Sequence, residues 1–294
     1  MCPLCKEDGF TEFPLYYMFR EKRFATRKCT SCSFVYVQPR PNKEELSLMY
    51  EDEYFLHDGA DFGAHSASDY ETAAVKGSVK FPEILGVIQK SKPSGDFFEV
   101  GCGMGYFLDF VRRAGYNASG IEFSALGARM CRDKFGLEVQ CSSLEDFPPQ
   151  PDRYDVIFMG DVLEHLVDPL GAVEKSREML RTGGVVALEV PSQFNSIAGR
   201  LAARLYPLAG IRKKMPMPPY HVNEFTPRTL ASILERAGFN TPRIIQRAKP
   251  PRTIALRGNI LENAAKKSLQ YPNYWITKSF GVLGDRLLGI GIKN

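Results

Sequence analysis

A glycine-rich turn between a predicted strand and a predicted helix constrains the fold of this chain more than any other feature. Residues 97–100 (FFEV) form a short apolar run typical of a buried strand, and a helical pattern begins at Tyr106. The intervening Gly-Cys-Gly-Met-Gly lets a ligand approach bare backbone, where a Cβ atom would block it. A turn of this kind predicts a ligand site at the carboxyl edge of a parallel sheet.

The side chains around this turn indicate what kind of ligand it holds. The dinucleotide fingerprint G-x-G-x-x-G requires glycine at position 106, where this chain has Tyr106, so a nicotinamide cofactor is disfavoured. Glu99 directs a carboxylate at the turn, which suits an ammonium or sulfonium group better than a pyrophosphate. Glu122 ends the next predicted strand, where an acidic side chain can accept hydrogen bonds from both ribose hydroxyls.

Short apolar segments alternate with helical patterns after the turn. This alternation predicts a parallel sheet with helices on both faces. The strands are predicted over residues 97–100, 118–121, 138–140, 154–159, 185–190 and 287–293, and the helices over 106–114, 125–135, 170–180 and 254–269. The hydrophobic content of 44% excludes a disordered or collagen-like chain, and no apolar run reaches membrane-spanning length. The N-terminus lacks the pattern of a signal peptide, so we expect a cytoplasmic location.

Four of the seven cysteines form two C-x-x-C pairs near the N-terminus. A predicted hairpin over residues 13–19 and 23–28 would bring the pairs together, so that four thiolates surround one tetrahedral zinc ion. A redox C-x-x-C is the alternative for either pair. A four-thiolate site has no open position for chemistry, so the predicted zinc is structural; its ligands would be Cys2, Cys5, Cys29 and Cys32.

Several segments together resemble class I S-adenosylmethionine-dependent methyltransferases, in the ubiquinone-methyltransferase-like branch. The resemblance rests on the acidic-x-G-x-G-x-G motif and on four further segments: YDVI (154–157), DVLEHLVDP (161–169), LRTGGV (180–185, with Thr182 replacing the usual proline) and YHVNEFT (220–226). The cysteine pairs are similar to those that precede the catalytic domain in deoxysugar C-methyltransferases and polysaccharide-cluster relatives. A Rossmann-like fold is implied, with a mostly parallel seven-stranded sheet and a small N-terminal zinc ribbon.

The resemblance also implies a domain order and roles for single residues. A zinc ribbon (1–40) would precede a helical connector and lid (41–93) and a methyltransferase domain (94–294) with a basic amphipathic insert at 195–219. S-adenosylmethionine would be the cofactor. The residues implied to contact it are Glu99, Gly101, Gly103 and Gly105 at its amino-acid part, Glu122 at the ribose, Phe123, Ser143 and Leu144 at the adenine, and Gly160 and Asp161 near the sulfonium.

Two histidines are candidate general bases. The motif places His165 at the carboxyl edge of the sheet, and the near-neutral pKa of imidazole suits proton transfer. The alternative is that His165 only packs against Glu164. His221 lies in a proline-rich loop expected to cover the pocket, where it would act as a base or brace the loop.

The net charge of +4 conceals an uneven distribution. Residues 1–194 hold 21 basic and 30 acidic side chains, whereas residues 195–294 hold 17 and 4, which gives −9 and +13. Such a basic, amphipathic region suits an acidic substrate or an anionic membrane surface, and the alternative is a solvated helix on one edge of the sheet. No nucleic-acid-binding module accompanies the charge, so we expect no nucleic-acid partner.

These features predict an enzyme that methylates a small phosphorylated molecule, such as a nucleotide sugar or lipid-linked glycan of polysaccharide biosynthesis. A lipid or quinone methyltransferase at the inner membrane surface is the nearest alternative. An alternative of another class is a zinc-ribbon scaffold with an inactive methyltransferase-like domain.

Overall fold

The computed structural model describes residues 1–49, 78–215, 217–251 and 260–294. The strands are β1 (Phe10–Phe19), β2 (Lys22–Cys29), β3 (Val35–Gln38), β4 (Asp96–Val100), β5 (Asn117–Glu122), β6 (Glu138–Cys141), β7 (Tyr154–Gly160), β8 (Leu180–Pro191), β9 (Lys213–Lys214), β10 (Asn223–Glu224), β11 (Asn240–Arg247) and β12 (Arg286–Ile292). The helices are α1 (Lys43–Met49), α2 (Phe81–Gln89), α3 (Tyr106–Arg113), α4 (Ala125–Phe135), α5 (Pro169–Met179), α6 (Ile197–Leu208), α7 (Pro227–Arg236) and α8 (Ile260–Phe280). Residues 50–77 of the predicted connector and lid (41–93) lie outside the described residues.

Seven strands form the large sheet, in the order β11-β12-β8-β7-β4-β5-β6. The five strands from β8 to β6 run parallel to one another. Strand β12 pairs antiparallel with β8, and β11 pairs antiparallel with β12. This confirms the predicted Rossmann-like sheet. The carboxyl ends of β4, β5 and β7 lie side by side at one edge, which is where the glycine turn follows β4.

Adjacent residues of β4 belong to different apolar layers. Phe97 packs with Val156 and Phe107 in one layer, whereas Phe98 packs with Ile157 and Phe147 in the other. Successive side chains of a strand point to opposite faces, so an uninterrupted apolar strand is stable only when both faces are covered. Each layer buries side chains from helices as well as strands, which accounts for the short apolar runs in the sequence.

Side-chain caps at the carboxyl edge begin the helices that follow the strands. Ser124 accepts a hydrogen bond from the backbone N–H of Gly127 at the start of α4, and Asp168 does the same for Gly171 in α5. The Thr226 side chain accepts from the backbone of Thr229 and completes a capping box in α7. These caps fix where each strand turns into a helix and therefore the shape of the edge that carries the site.

A second sheet of five strands is built mainly from the N-terminal segment, in the order β10-β3-β2-β1-β9. The predicted hairpin is confirmed as β1 and β2, which pair antiparallel. The two outer strands come from far along the chain: β9 pairs with β1, and β10 pairs with β3. Phe34 of the N-terminal segment also packs on Phe225 in the apolar layer that covers the large sheet.

Arg40 ties the N-terminal segment to the large sheet. Its guanidinium donates hydrogen bonds to the carbonyls of Leu166 (2.8 Å), Val167 (2.6 Å) and Val222 (2.7 Å), and to the Asn223 side chain (2.9 Å). A buried guanidinium that meets this many acceptors is a specific link between loops. The end of the cysteine segment is thereby fixed against the loop that carries His165.

The C-terminal region differs in part from its predicted elements. Residues 254–259 of the helix predicted over 254–269 lie outside the described residues, and α8 continues to Phe280, so the aromatic segment that follows residue 270 is helical. The last predicted strand is confirmed as β12, and β11 was not predicted at all. Among the described residues, no helix is long and apolar enough to cross a membrane.

Candidate cofactor and catalytic site

The glycine turn adopts a backbone that only glycine accommodates readily. Gly101 and Gly105 have φ values of +69° and +83°, in the left-handed region. A Cβ atom on Gly101 would lie 2.5 Å from a methyl carbon of Val162, and one on Gly105 would lie 2.9 Å from the Cys131 sulfur. The turn therefore keeps its backbone close to the loop after β7 and presents the first N–H groups of α3 at the sheet edge.

Glu122 links the glycine turn to the end of β5. One carboxylate oxygen accepts the Gly103 N–H (2.7 Å), and the other accepts the Ser124 N–H (2.8 Å). Burial raises the pKa of Glu122, and these backbone N–H groups offset part of the increase. A carboxylate offers roughly four acceptor positions, so about two remain for hydroxyl donors of a ligand.

Glu99 provides the strongest indication that the site fits a charged cofactor. It is 4% exposed, and one of its carboxylate oxygens meets no hydrogen-bond partner within the described part of the chain. Burial, followed by the nearby Cys131 and Glu122, raises the pKa of Glu99 well above its ordinary value. A buried carboxyl with an unused oxygen is costly, and an ammonium donor would satisfy it. The residues present therefore fit the amino-acid part of S-adenosylmethionine.

The residues predicted at the adenine surround the end of β5 and the loop after β6. The ring of Phe123 is half exposed, and Leu144 is buried in the core. The Ser143 hydroxyl already binds the Asp146 side chain (2.8 Å) and accepts its backbone N–H (3.0 Å). Ser143 thus shapes its own turn, and a direct contact with an adenine would have to come from its backbone or from a rearranged hydroxyl.

A network of buried ion pairs lies beyond Gly160, at the ends of β7 and β8. Asp161 contacts Arg286 (2.5 Å) and Lys80 (3.4 Å), and Glu189 contacts Lys80 (2.8 Å) and Arg247 (3.0 Å). Burial alone would raise the pKa of Asp161, but Arg286 and Lys80 outweigh it and hold the pKa below its usual range. Asp161 is therefore a fixed anion near the predicted position of the sulfonium.

Glu164, His165 and His221 come together next to this network. Their ligand atoms lie within 4.8 Å of one another, and the two imidazole rings meet edge to face with centroids 4.8 Å apart. Both carboxylate oxygens of Glu164 are buried and meet no hydrogen-bond partner in the described chain. Burial, followed by the nearby Asp161, raises the pKa of Glu164 well above its ordinary value. Imidazole and carboxylate ligands suit a divalent cation, so the cluster can also hold a metal ion.

The two histidines differ in their surroundings. The Tyr220 carbonyl lies 2.9 Å from Nδ1 of His165, and a carbonyl can only accept, so we assign the proton to Nδ1 and the lone pair to Nε2. Nε2 lies 3.7 Å from a Glu164 oxygen. For His221, burial lowers the pKa to about 4 although Asp161 acts in the opposite direction, so its imidazole is neutral at neutral pH.

The four N-terminal cysteines form a compact cluster. The sulfur atoms of Cys2 and Cys32 are 3.7 Å apart, those of Cys5 and Cys29 are 3.5 Å apart, and all four lie within 4.8 Å of one another. Tetrahedral zinc with Zn–S bonds of about 2.3 Å requires sulfur atoms about 3.8 Å apart. The cluster is therefore compatible with a zinc ribbon.

Comparison with known proteins agrees with this geometry. A family profile described as a methyltransferase domain matches residues 79–242, more than half of the chain. The chain belongs to this methyltransferase family. The glycine turn, Glu99 and Glu122 all lie inside the matched region of this methyltransferase.

Two relatives match the methyltransferase in sequence over about half its length. A probable S-adenosylmethionine-dependent methyltransferase of Mycolicibacterium smegmatis is 26% identical, covering 49% of this chain and 51% of its own. A ubiquinone biosynthesis O-methyltransferase of Ruegeria is 27% identical, covering 48% and 59%. The chain thus spans only about half the length of these relatives. An S-adenosylmethionine-dependent methyltransferase structure from Thermotoga maritima has a TM-score of 0.53 at 19% identity, covering 78% and 96%, and supports the fold alone.

Sequence reasoning missed several residues of the site. Lys80, Glu189 and Arg286 surround Asp161, yet they lie on different elements and share no motif. Glu164 was considered only as a neighbour of His165. Both of its carboxylate oxygens are buried without a hydrogen-bond partner in the described chain. The acidic residues near the ends of two predicted strands (Asp161, Glu164, Glu189) were the one sequence feature that indicated a charged cluster.

Proposed function

We propose that this methyltransferase acts on a small phosphorylated molecule, such as a nucleotide sugar or a lipid-linked glycan. The observation that carries this proposal is the +13 charge of residues 195–294, a region that supplies Arg247, Lys249 and Arg286 to the site. Lys249 lies close enough to His221 to disfavour its protonation. Arg247 and Arg286 are paired with Glu189 and Asp161, so the net positive charge of the region as a whole, with Lys249 near His221, would attract a phosphate toward the transferable methyl group.

In this proposal the cofactor lies along the carboxyl edge of β4, β5 and β7. Glu99 would hold its ammonium group, Glu122 its ribose hydroxyls, and Gly101, Gly103 and Gly105 would admit its amino-acid part. Phe123, Ser143 and Leu144 would border the adenine, and Gly160 and Asp161 would lie near the sulfonium. When bound, S-adenosylmethionine supplies an electrophilic methyl group on a positively charged sulfur.

His165 is the proposed general base. Its Nδ1–H is fixed on the Tyr220 carbonyl, which orients the Nε2 lone pair to take the proton of the acceptor as the new bond to the methyl carbon forms and the carbon–sulfur bond breaks. The imidazolium that results would lie 3.7 Å from a Glu164 oxygen, and its positive charge would favour ionisation of that carboxyl. His221, neutral by burial, would border the same pocket and orient the acceptor.

The four clustered cysteines would hold a structural zinc ion. Their closed arrangement leaves no coordination position for a substrate, so the ion would stabilise the N-terminal sheet and not the reaction. The proposed setting is the cytoplasm, and no nucleic acid takes part.

A methyl-transfer assay on a panel of nucleotide sugars and sugar phosphates tests this function. We expect one panel member to gain the mass of one methyl group, while the unphosphorylated sugar reacts poorly. His165→Gln should lower kcat about 10²- to 10⁴-fold with little change in cofactor affinity, and should remove the acid limb from the pH–rate profile. Full activity of both His165→Gln and His221→Ala would reject the base assignment. Equal activity on phosphorylated and unphosphorylated sugars would reject the substrate class.

A further inference from the structure

The C-terminal helix α8 has one buried side and one exposed aromatic side. Asn273 faces inward, where its carbonyl oxygen accepts the Ile197 N–H of α6 (2.9 Å) and its amide donates to the Leu283 carbonyl (3.0 Å). Tyr271 and Trp275 are 49% and 58% exposed. At 100° per residue, positions 271, 275 and 278 fall within about 60° of one another, on the side opposite position 273. The exposed side of α8 is therefore an aromatic stripe.

The neighbouring helix α6 has an equally exposed aliphatic stripe. It contains no buried residue, and Leu201, Leu205 and Leu208 are 43%, 56% and 85% exposed. Their spacing of four and three residues places them on one side of the helix. An ordinary amphipathic helix packs such a stripe against the core, so here the apolar side lacks its usual cover within the described chain.

Exposed apolar side chains are concentrated in these two segments. Eight of the thirteen large hydrophobic residues that are exposed in the described part of the chain lie at positions 201–211 or 271–282. Single exposed hydrophobic residues are common, whereas a concentration of this kind is typical of a surface that binds something apolar.

Both segments are also rich in basic side chains, with Glu262 and Asp285 at the borders of the second one and Glu12 paired with Arg212 of the first (2.6 Å). Residues 197–214 and 263–284 contain eight lysine and arginine residues and no aspartate or glutamate. The Lys278 ammonium lies 5.4 Å from the centre of the Trp275 ring, so cationic and aromatic groups alternate on α8. Aromatic side chains with flanking cations are enriched where proteins meet the headgroups of an anionic bilayer.

We propose that the exposed sides of α6 and α8 dock this methyltransferase on an anionic phospholipid membrane. The docking surface comprises Leu201, Leu205, Leu208, Tyr271, Trp275 and Lys278. A second copy of the chain is the other apolar partner to consider. A two-fold interface would bring the same cations of both copies together, which electrostatic complementarity disfavours. The membrane contact does not depend on which molecule the enzyme methylates.

The single tryptophan of the chain provides a direct test, because its emission reports on Trp275 alone. The full-length protein is titrated with vesicles of phosphatidylcholine, with or without phosphatidylglycerol, and binding is checked by co-sedimentation. We expect a blue shift with the anionic vesicles, quenching by brominated acyl chains, reversal by added salt, and little change with phosphatidylcholine alone. A missing blue shift at low salt, or a shift of the same size on neutral vesicles, would overturn the proposal.

Variants separate docking from other effects. Leu205→Glu and Lys278→Glu should each weaken vesicle binding by about tenfold or more, while Phe10→Glu, which changes an exposed hydrophobic residue outside both segments, should leave it unchanged. Melting temperature and cofactor binding verify that each variant is folded. Unaltered vesicle binding in Leu205→Glu and Lys278→Glu contradicts the surface. A blue shift that grows with protein concentration in the absence of vesicles would identify a second copy as the occupant instead.

Discussion

Replacement of Glu122 by glutamine tests the cofactor site with the least disturbance. Both carboxylate oxygens now accept backbone N–H groups, at 2.7 Å from Gly103 and 2.8 Å from Ser124. A glutamine amide keeps the volume but has one acceptor, so it retains one of these bonds and sets an NH₂ against the other donor. A hydrogen bond to a charged group contributes about 1.5–3 kcal/mol. The loss of a charged acceptor for a ribose hydroxyl therefore predicts S-adenosylmethionine binding weaker by roughly tenfold to a hundredfold.

Calorimetric titration measures this change against a matched control. Glu174→Gln removes the same charge from an exposed position of α5 and should leave the dissociation constant unaltered. A cofactor analogue without a ribose hydroxyl separates a ribose contact from a shifted glycine turn. The analogue should bind the native enzyme more weakly than the cofactor does. Its affinity should fall little further in Glu122→Gln. An unchanged cofactor affinity in Glu122→Gln would refute the ribose assignment. The same would follow if the substitution weakened binding of the analogue and of the cofactor by the same factor.

Three further predictions concern the metal, pH and stability. Cys29→Ser should reduce bound zinc, measured by elemental analysis, from equimolar to near zero, whereas Cys141→Ser should retain it; equal zinc in both contradicts the ribbon. The pKa of His221 is lowered from 6.5 to about 4. The neutral imidazole costs the fold nothing above pH 6.5, and the free energy of unfolding decreases as pH falls toward 4 because the unfolded chain binds the proton first. The native enzyme should therefore lose up to about 3 kcal/mol more unfolding free energy than His221→Gln over that interval; parallel pH profiles argue against burial of a neutral imidazole. Arg40→Met leaves the carbonyls of Leu166 and Val222 without their charged donor, so it should cost about 3–5 kcal/mol in denaturant unfolding, and the exposed Lys43→Met almost nothing; a cost for Arg40→Met no larger than that for Lys43→Met would contradict this role of Arg40.

The large sheet was accessible from the sequence because each of its central strands buries both faces. Residues 97–100 and 154–159 are mostly apolar, with Glu99 and Asp155 as the charged residues in them, and the glycines after residue 100 mark where the first strand turns. The number of strands and their mostly parallel arrangement followed from the family resemblance, whereas their order is seen only in the structure. The strand β11 was missed because its side chains are only partly buried and its sequence, NTPRIIQR, contains a proline and two arginines.

Long-range pairings could not be read from local patterns. The strands β9 and β10 are two residues long, so they carry no periodicity, and only the fold shows that they complete the sheet of the N-terminal segment. Arg40 looked like an ordinary cation between two prolines, yet it is held by acceptors more than a hundred positions away.

The candidate site was predicted residue by residue, but not its electrostatics. Motifs identified Glu99, Glu122 and the two histidines, whereas the cations that fix Asp161 are Lys80 and Arg286, which lie far from it and from each other in the sequence. The depth at which Glu164 is buried depends on packing against β10 and the Tyr220 loop, which no local pattern encodes. Residue types thus indicated the chemistry, and the fold determines which of them are charged.

A crystal structure with S-adenosylhomocysteine bound tests the central claim most directly. We predict that its amino group contacts Glu99, that its ribose hydroxyls contact Glu122, and that its sulfur faces the pocket bordered by Asp161, His165 and His221. Density for the ligand away from the glycine turn, or a sulfur directed away from the two histidines, would contradict this account of the site.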